Sequence, residues 1–465
     1  MFTKRQTNMI KGIAVLLLLI HHSWSPLKTE TMAYGSLIRT MTSAGKLSVA
    51  VFSMLSGYGM YLSASGKKAG NMTVWRNILY HVLKIYTVFW LTAGILAGIV
   101  SALAGSPQAV YGKLTIYHLA LDLLGLSYIA GTPMLANSWW YVTAALIYYC
   151  CFPFLFEGIR RLKAGGWLLW LILALWLFLH PGGSSVMVYG IFFTMGMILA
   201  ERDVLNRLLE AARSGWIRFF LFLLAAAGFA GAMTLRQIYL TGLKVEYYLD
   251  WLPALFLITA AAVLTFGWSL KYPGLLELTG RVSFEMFLIH GAFIKYAPSL
   301  VYPDDNCLLD LLRLFSLSLL GALLLRLLTR LTGLDRLPGA VAERPGAGAA
   351  AGPLLALLAA AMLTPGMIAN LGIGELELYP RQAVMEVGDW YAPVYYKTPF
   401  MWEFAVPKYT SSDPAVAYME NGVIYAQSPG TARFTVSTAG GTFGSINVIV
   451  NEKKEDGLQQ AGGSE

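Results

Sequence analysis

The sequence predicts an all-α polytopic membrane bundle, ten helices plus one extra transmembrane helix, followed by a small all-β sandwich. Three observations predict it. Hydrophobic residues make up 57% of the 465-residue chain and charged residues only 13%, about half the charged share of a soluble domain, and the mean hydropathy is +0.58. Apolar runs approaching bilayer length recur up to residue 371. Beyond it the pattern changes to short alternating runs separated by turn residues. A water-soluble fold of this length lacks the interior to hide that much apolar surface. The composition likewise excludes a disordered chain and a disulfide scaffold.

Taken in order, the apolar runs are 9–25, 44–63, 78–103, 139–156, 167–180, 186–201, 217–237, 250–268, 283–300, 307–330 and 351–371. The first resembles a signal peptide in its basic start. However, His21-His22 ends it, no small-x-small site comes close after it, and further spans succeed it. It reads as an uncleaved first helix. The runs 167–180 and 186–201 are short and pair as a hairpin through His180-Pro181-Gly182-Gly183, while 114–130, interrupted by His118 and Asp122, reads as re-entrant or interfacial. The last run, rich in Ala and Leu and without charge, reads as an anchor that carries the strand-rich tail across the bilayer.

Numbering the loops alternately from an inner N-terminus places 20 Lys and Arg residues inside and 8 outside. That bias puts the N-terminus in the cytoplasm and residues 372–465 outside a cell (plasma) membrane crossed many times. The first 370 residues hold 28 bases and 15 acids, the remainder 6 and 11. The bases lie in short clusters between apolar runs, which argues against nucleic acid as a partner. Cys150, Cys151 and Cys307 sit in or beside apolar segments and read as small buried hydrophobes. The chain divides into a membrane domain (1–335), a linker with the last transmembrane helix (336–371), an extracytoplasmic sandwich (372–451) and a polar, disordered tail (452–465).

Ionisable residues inside apolar runs are costly and mark function. Those that stand out are Lys11, His21, His22, His81, Lys84, Glu285 and His290. Lys11 and His22 are eleven positions apart, about 16 Å along a helix and close to three turns, so they share a face. A cation at the inner mouth with an imidazole deeper in suits an anionic substrate entering from the cytoplasm. Ser283, Met286, Phe287 and His290 share another helical face. No metal ligand set, GxSxG or Walker motif is present.

Lys11-Gly12-Ile13-Ala14 followed by His22, Phe52-Ser53-Met54-Leu55-Ser56-Gly57-Tyr58, and His81-Val82-Leu83-Lys84-Ile85-Tyr86 occur in that order. Trp139-Trp140-Tyr141-Val142 with Tyr148 and Pro153, Phe192-Phe193-Thr194-Met195-Gly196-Met197, and Ser283-Phe284 to His290 come next. Together, over about residues 5–335, these resemble the membrane acyltransferase-3 family of O-acyltransferases. Lysine stands at position 11 where that family usually has arginine, and Thr87 falls where it often has proline. The resemblance implies transfer of an acyl group, acetyl as the expected case, from cytoplasmic acyl-CoA (acetyl-CoA) as co-substrate. The acceptor would be a hydroxyl of a surface glycan or lipid-linked sugar. It implies His22 as general base, with His21, Glu285 and His290 in the catalytic set and His290 and Glu285 lining the cavity. Lys11, Lys84, Arg281 and His81 would hold the coenzyme A phosphates. Ser56, Trp139, Trp140, Tyr141 and Ser283 would meet the substrate, with no metal. A transporter or flippase for a sugar or lipid-linked substrate is the alternative, although no internal repeat is visible.

In the tail, Tyr409 to Ala417, Asn421-Gly422-Val423-Ile424 and Ser428-Pro429-Gly430-Thr431-Ala432 resemble the bacterial immunoglobulin-like domain, group 2, in order and spacing. The resemblance implies a non-catalytic spacer or adhesive module.

Overall fold

A computed structural model describes residues 2–24, 35–65, 74–104, 108–111, 115–130, 132–162, 165–179, 185–236, 246–267, 274–303, 306–349, 351–353, 375–379, 382–391, 394–398, 408–420, 423–437 and 443–452. In chain order the α-helices are α1 (Lys4–Trp24), α2 (Gly35–Gly45), α3 (Leu47–Ser65), α4 (Val74–Ala104), α5 (Gln108–Tyr111), α6 (Thr115–Leu123) and α7 (Ser127–Ala130). They continue as α8 (Trp140–Leu162), α9 (Gly165–Leu179), α10 (Ser185–Glu201), α11 (Val204–Ala211), α12 (Gly215–Leu235) and α13 (Trp251–Leu264). The series closes with α14 (Leu275–Arg281), α15 (Ser283–Tyr296), α16 (Pro298–Val301), α17 (Cys307–Leu331) and α18 (Leu337–Ala342). The strands are β1 (Glu375–Tyr379), β2 (Gln382–Glu386), β3 (Trp390–Tyr391), β4 (Val394–Thr398), β5 (Lys408–Ser411), β6 (Ala417–Glu420), β7 (Val423–Ala426), β8 (Gly430–Ser437) and β9 (Phe443–Asn451).

The chain forms two compact units, Met1–Gly112 with Leu135–Ala360, and Lys113–Met134 with Ala361–Glu465. In the first, among the described residues, five stretches are long and apolar enough to cross a membrane: Thr40–Ser65, Val74–Ala102, Asn137–Leu162, Gly215–Leu235 and Cys307–Leu331. A sixth is broken, Ser185–Glu201 and Val204–Ala211 meeting at 57°. The expected first, fifth and eighth runs form α1, α9 and α13. The His180–Gly183 turn and most of the last run, 354–371, lie outside the described residues.

Helix α1 begins where Thr3 and Gln6 cap each other: Gln6 N–H donates to Thr3 Oγ1 (3.2 Å) and Thr3 N–H to Gln6 Oε1 (3.0 Å). It then packs against α2, α3, α13, α14, α15 and α17. Two glycine contacts allow this density. A Cβ on Gly12 would strike the Leu276 carbonyl of α14, and one on Gly280 the Asn8 carbonyl. Likewise α3 and α10 cross backbone to backbone, because a Cβ on Gly57 would strike the Phe193 carbonyl and one on Gly196 that of Met54. Small residues at such crossings are how helices associate in lipid, where apolar burial offers little net driving force. Val15, Leu19, Val282, Met286, Leu314 and Ala322 form a buried core among α1, α15 and α17. By contrast α12 leaves Trp216, Phe220 and Leu224 exposed, a surface suited to lipid.

Among the described residues, the second unit holds three sheets, ordered β2-β9-β8-β5, β3-β7-β6 and β1-β4. Every pairing is antiparallel except β2 with β9. The alternating runs read from the sequence as 375–379, 431–436 and 445–450 fall on β1, β8 and β9. In β8, Ala432, Phe434 and Val436 point inward and Thr431 and Arg433 outward. The Asn421-Gly422 and Gly440-Gly441 turns and residues 453–465 lie outside the described residues.

Candidate active site

A cavity of about 600 Å³ opens among α1, α3, α4, α8, α14, α15 and α17. Eight of the expected site residues line it: Lys11, Ser56, His81, Lys84, Tyr141, Arg281, Ser283 and Glu285. Arg326 and Arg330 of α17, two of the 20 cations that the loop count places inside, also line it, as does Asp335. Their signal was the i,i+4 spacing of Arg326 and Arg330, which puts both on one face of α17. Lys and Arg side chains therefore outnumber carboxylates on this wall by five to two. Glu285 interacts electrostatically with Lys11, Lys84 and Arg326 across the space. Apolar walls come from Phe52, Ile85, Val88 and Phe287.

A second cavity, of about 830 Å³, adjoins the first through shared lining residues that include Asn8, Lys11, Gly59, Tyr80 and Lys84. Nothing stands within 4 Å of the point where a Gly59 Cβ would sit. The two hollows meet at the two lysines.

Arg281 differs from the lysines. It forms an ion pair with Glu277, which also takes Arg5 at 3.0 Å, while Arg326 Nη1 donates to the Arg281 backbone carbonyl at 2.6 Å. Glu277 thus clamps α14 to α1 through Arg5, while Arg281 pairs with Glu277 within α14 and faces the cavity. The Ser53 and Tyr141 hydroxyls are 3.1 Å apart, and Tyr149 hydrogen-bonds Ser56.

His21, His22 and His290 form a separate cluster. The His22 ring centroid lies 5.0 Å from that of His290 and 4.9 Å from that of His21. His21 donates from Nδ1 to the Thr42 carbonyl at 2.9 Å. Trp24 Nε1 donates to the Cys307 carbonyl (2.8 Å) and the Tyr302 hydroxyl to that of Ser23 (3.2 Å), fixing this end of α1. Nearby, Arg236 and Asp250 form a fully buried ion pair at 2.6 Å, and Arg236 also donates to Ser43 Oγ at 2.7 Å.

The expectation that His290 lines the cavity is corrected: it is fully buried and absent from the wall. Phe287, one helical turn earlier on α15, occupies that place. Its ring lies 6.0 Å from His290 and 5.9 Å from Tyr141. His21 and His22 are likewise absent from the lining. Trp139 and Trp140, expected to meet substrate, do not line this cavity either. Trp139 is buried against Phe89 and donates from Nε1 to the Leu288 carbonyl at 2.8 Å, which steadies α15 beside His290. Trp140 packs against Tyr189. Among the described residues, no group of three or more His, Cys, Asp or Glu is placed to hold a metal ion.

A helical unit with membrane-length helices, a cation-rich hollow and a neighbouring imidazole pair is what a lipid-embedded group-transfer enzyme requires. A family model described as an acyltransferase domain matches residues 6–337, more than two thirds of the chain. The chain belongs to the acyltransferase-3 family, and the protein is a membrane acyltransferase. No curated protein matches it, and no solved structure does.

Proposed function

We propose that this protein is an integral O-acyltransferase. It moves an acyl group, acetyl in the first instance, from cytoplasmic acyl-CoA to a hydroxyl of a cell-surface carbohydrate, a glycan or a lipid-linked sugar. The observation that carries this reading is the pair of adjoining cavities meeting at Lys11 and Lys84, with the imidazoles of His22 and His290 beyond Phe287. Coenzyme A is long and carries several phosphates. Two joined hollows offer the length, and Lys11, Lys84, Arg326 and Arg330 offer point charges and guanidinium forks for phosphate. Arg281, held by Glu277, serves chiefly to set the wall.

The thioester end then points toward Phe287 and Tyr141. The acceptor hydroxyl meets His22 from the other end of α1. An imidazole is the side chain best suited to take a proton near neutral pH. As the hydroxyl oxygen bonds to the acyl carbon, its proton passes to His22, the carbon–sulfur bond breaks, and the thiolate takes the proton back. The positive-inside bias supports a multi-pass arrangement in the cell membrane with the N-terminus cytoplasmic. The paired sheets of the strand unit support a group 2 immunoglobulin-like module carried outside, serving as a spacer or adhesive element.

The test supplies purified protein in liposomes with acetyl-CoA and surface-glycan fragments, and follows release of the coenzyme thiol. Release that rises with glycan and is matched by ester formed on the glycan is the expected result. Thiol release indifferent to every hydroxyl acceptor overturns the carbohydrate assignment.

A further inference from the structure

His290 Nδ1 lies 2.7 Å from the Phe287 carbonyl oxygen and 3.3 Å from that of Met286. A carbonyl oxygen can only accept, so Nδ1 carries the hydrogen and Nε2 presents a lone pair. That Nε2 is buried and has no hydrogen-bond partner among the described residues. Leaving a buried acceptor unpaired is costly, and the imidazole beside it is that of His22, 5.0 Å away between centroids and tilted by 45°. At that spacing a modest ring rotation brings facing nitrogens within hydrogen-bonding reach.

We infer that His290 is a positioning residue whose Nε2 accepts the N–H of His22, fixing His22 in the tautomer that leaves its other nitrogen free for the acceptor hydroxyl. This inference rests on the reading of His22 as the base and adds the direction of the hydrogen-bond chain. It runs from the acceptor hydroxyl to His22, from His22 to His290, and from His290 to the Phe287 carbonyl. His290 neither gains nor loses a proton. It holds the same bond to His22 before and after proton transfer, and the bond strengthens when His22 becomes an imidazolium, as for any charge-assisted pair. The arrangement does with a neutral imidazole what a buried carboxylate does in a Ser-His-Asp triad.

Three features hold the pair in register. The Nδ1 hydrogen of His21 is engaged by Thr42 and is not available to His22. Trp24 and Tyr302 tie down this end of α1. Trp139 ties α15 through Leu288. The titratable groups acting on His22 are His21 on its own helix and His290 across from it, while Lys46 and Arg236 act on His21.

The test uses the full chain in membranes with three variants. His290→Asn places an amide N–H near the Nδ1 position, keeping the tether but lacking the Nε2 acceptor. His290→Gln places an amide oxygen near the Nε2 position. His22→Ala removes the proposed base. The expected result for His290→Asn is a kcat about 100-fold lower, with donor KM within about twofold. The acidic limb of its kcat–pH profile should move to lower pH, because the charged form of His22 has lost its acceptor. His290→Gln should recover at least about tenfold of that loss. Wild-type kcat in His290→Asn overturns the inference. So does a loss that leaves the pH limb in place and is equal in Asn and Gln, which marks a merely structural role. His22→Ala separates the two claims: if it retains transfer, the base assignment itself has failed. If it is inactive while His290→Asn is normal, only the positioning role has failed.

Discussion

Replacing Lys84 or Lys11 by Gln should weaken the donor without slowing the chemistry. Both side chains line both cavities, so a phosphate lying at the junction meets them first. A charge-assisted hydrogen bond contributes about 1.5–3 kcal/mol, and about 1.4 kcal/mol is a factor of ten in affinity. Lys84 is exposed to the hollow and Lys11 half-buried. Screening by water reduces the first more than the second. The expected rise in donor KM is therefore about tenfold for Lys84→Gln and up to about 100-fold for Lys11→Gln, with kcat within about threefold. Arg281→Gln should cost the donor less than about threefold, because the guanidinium is already paired with Glu277 and its side chain is 46% exposed. The assay is the initial rate of thiol release against donor concentration, run in parallel with acetyl-CoA and with acetyl-pantetheine, which has no phosphate. The lysine variants should match wild type on the pantetheine donor. An equal loss on both donors refutes the assignment of these cations to phosphate.

The packing carries further consequences. Gly57→Ala forces α3 away from the Phe193 carbonyl of α10; overpacking of this kind costs about 1–3 kcal/mol, to be read as a lower unfolding temperature in detergent. Asp250→Asn removes the carboxylate 2.6 Å from the fully buried Arg236 guanidinium and should destabilise by about 3–5 kcal/mol, while replacing both by apolar residues recovers most of that loss. Phe287→Ala removes the ring between the cavity and His290. It should raise kcat/KM for a butyryl donor relative to acetyl by about tenfold, measured by competition between the two thioesters.

Much of the cavity wall was legible because it depends on helix periodicity. Lys11, Lys84, Ser283 and Glu285 are polar residues in apolar runs, and such residues point inward. What periodicity does not give is which neighbour a face meets. Ser283, Phe287 and His290 share a face, yet only the first two reach the hollow, because Phe287 fills the space in front of His290. Trp139 was read as a substrate residue from its motif; its indole hydrogen is engaged by Leu288, a partner 149 positions away that no local pattern reveals. Arg326 and Arg330 looked like inner-loop anchors, since a charge near a helix end reads the same whether it faces lipid headgroups or a hollow. In the tail, β8 and β9 were legible from strict alternation. The parallel pairing of β2 with β9 was not, because it joins residues 65 positions apart in sequence, such as Gln382 and Asn447.

The assignment of His22 as the proton acceptor is tested most directly by single-turnover transfer. Liposome-embedded wild type and His22→Ala, matched for folded protein, receive acyl-labelled thioester and a glycan acceptor, and label on the glycan is followed with time. The expected result is a transfer rate lower by about 10²–10⁴-fold in the variant with donor binding unchanged. Transfer by His22→Ala at close to the wild-type rate contradicts it.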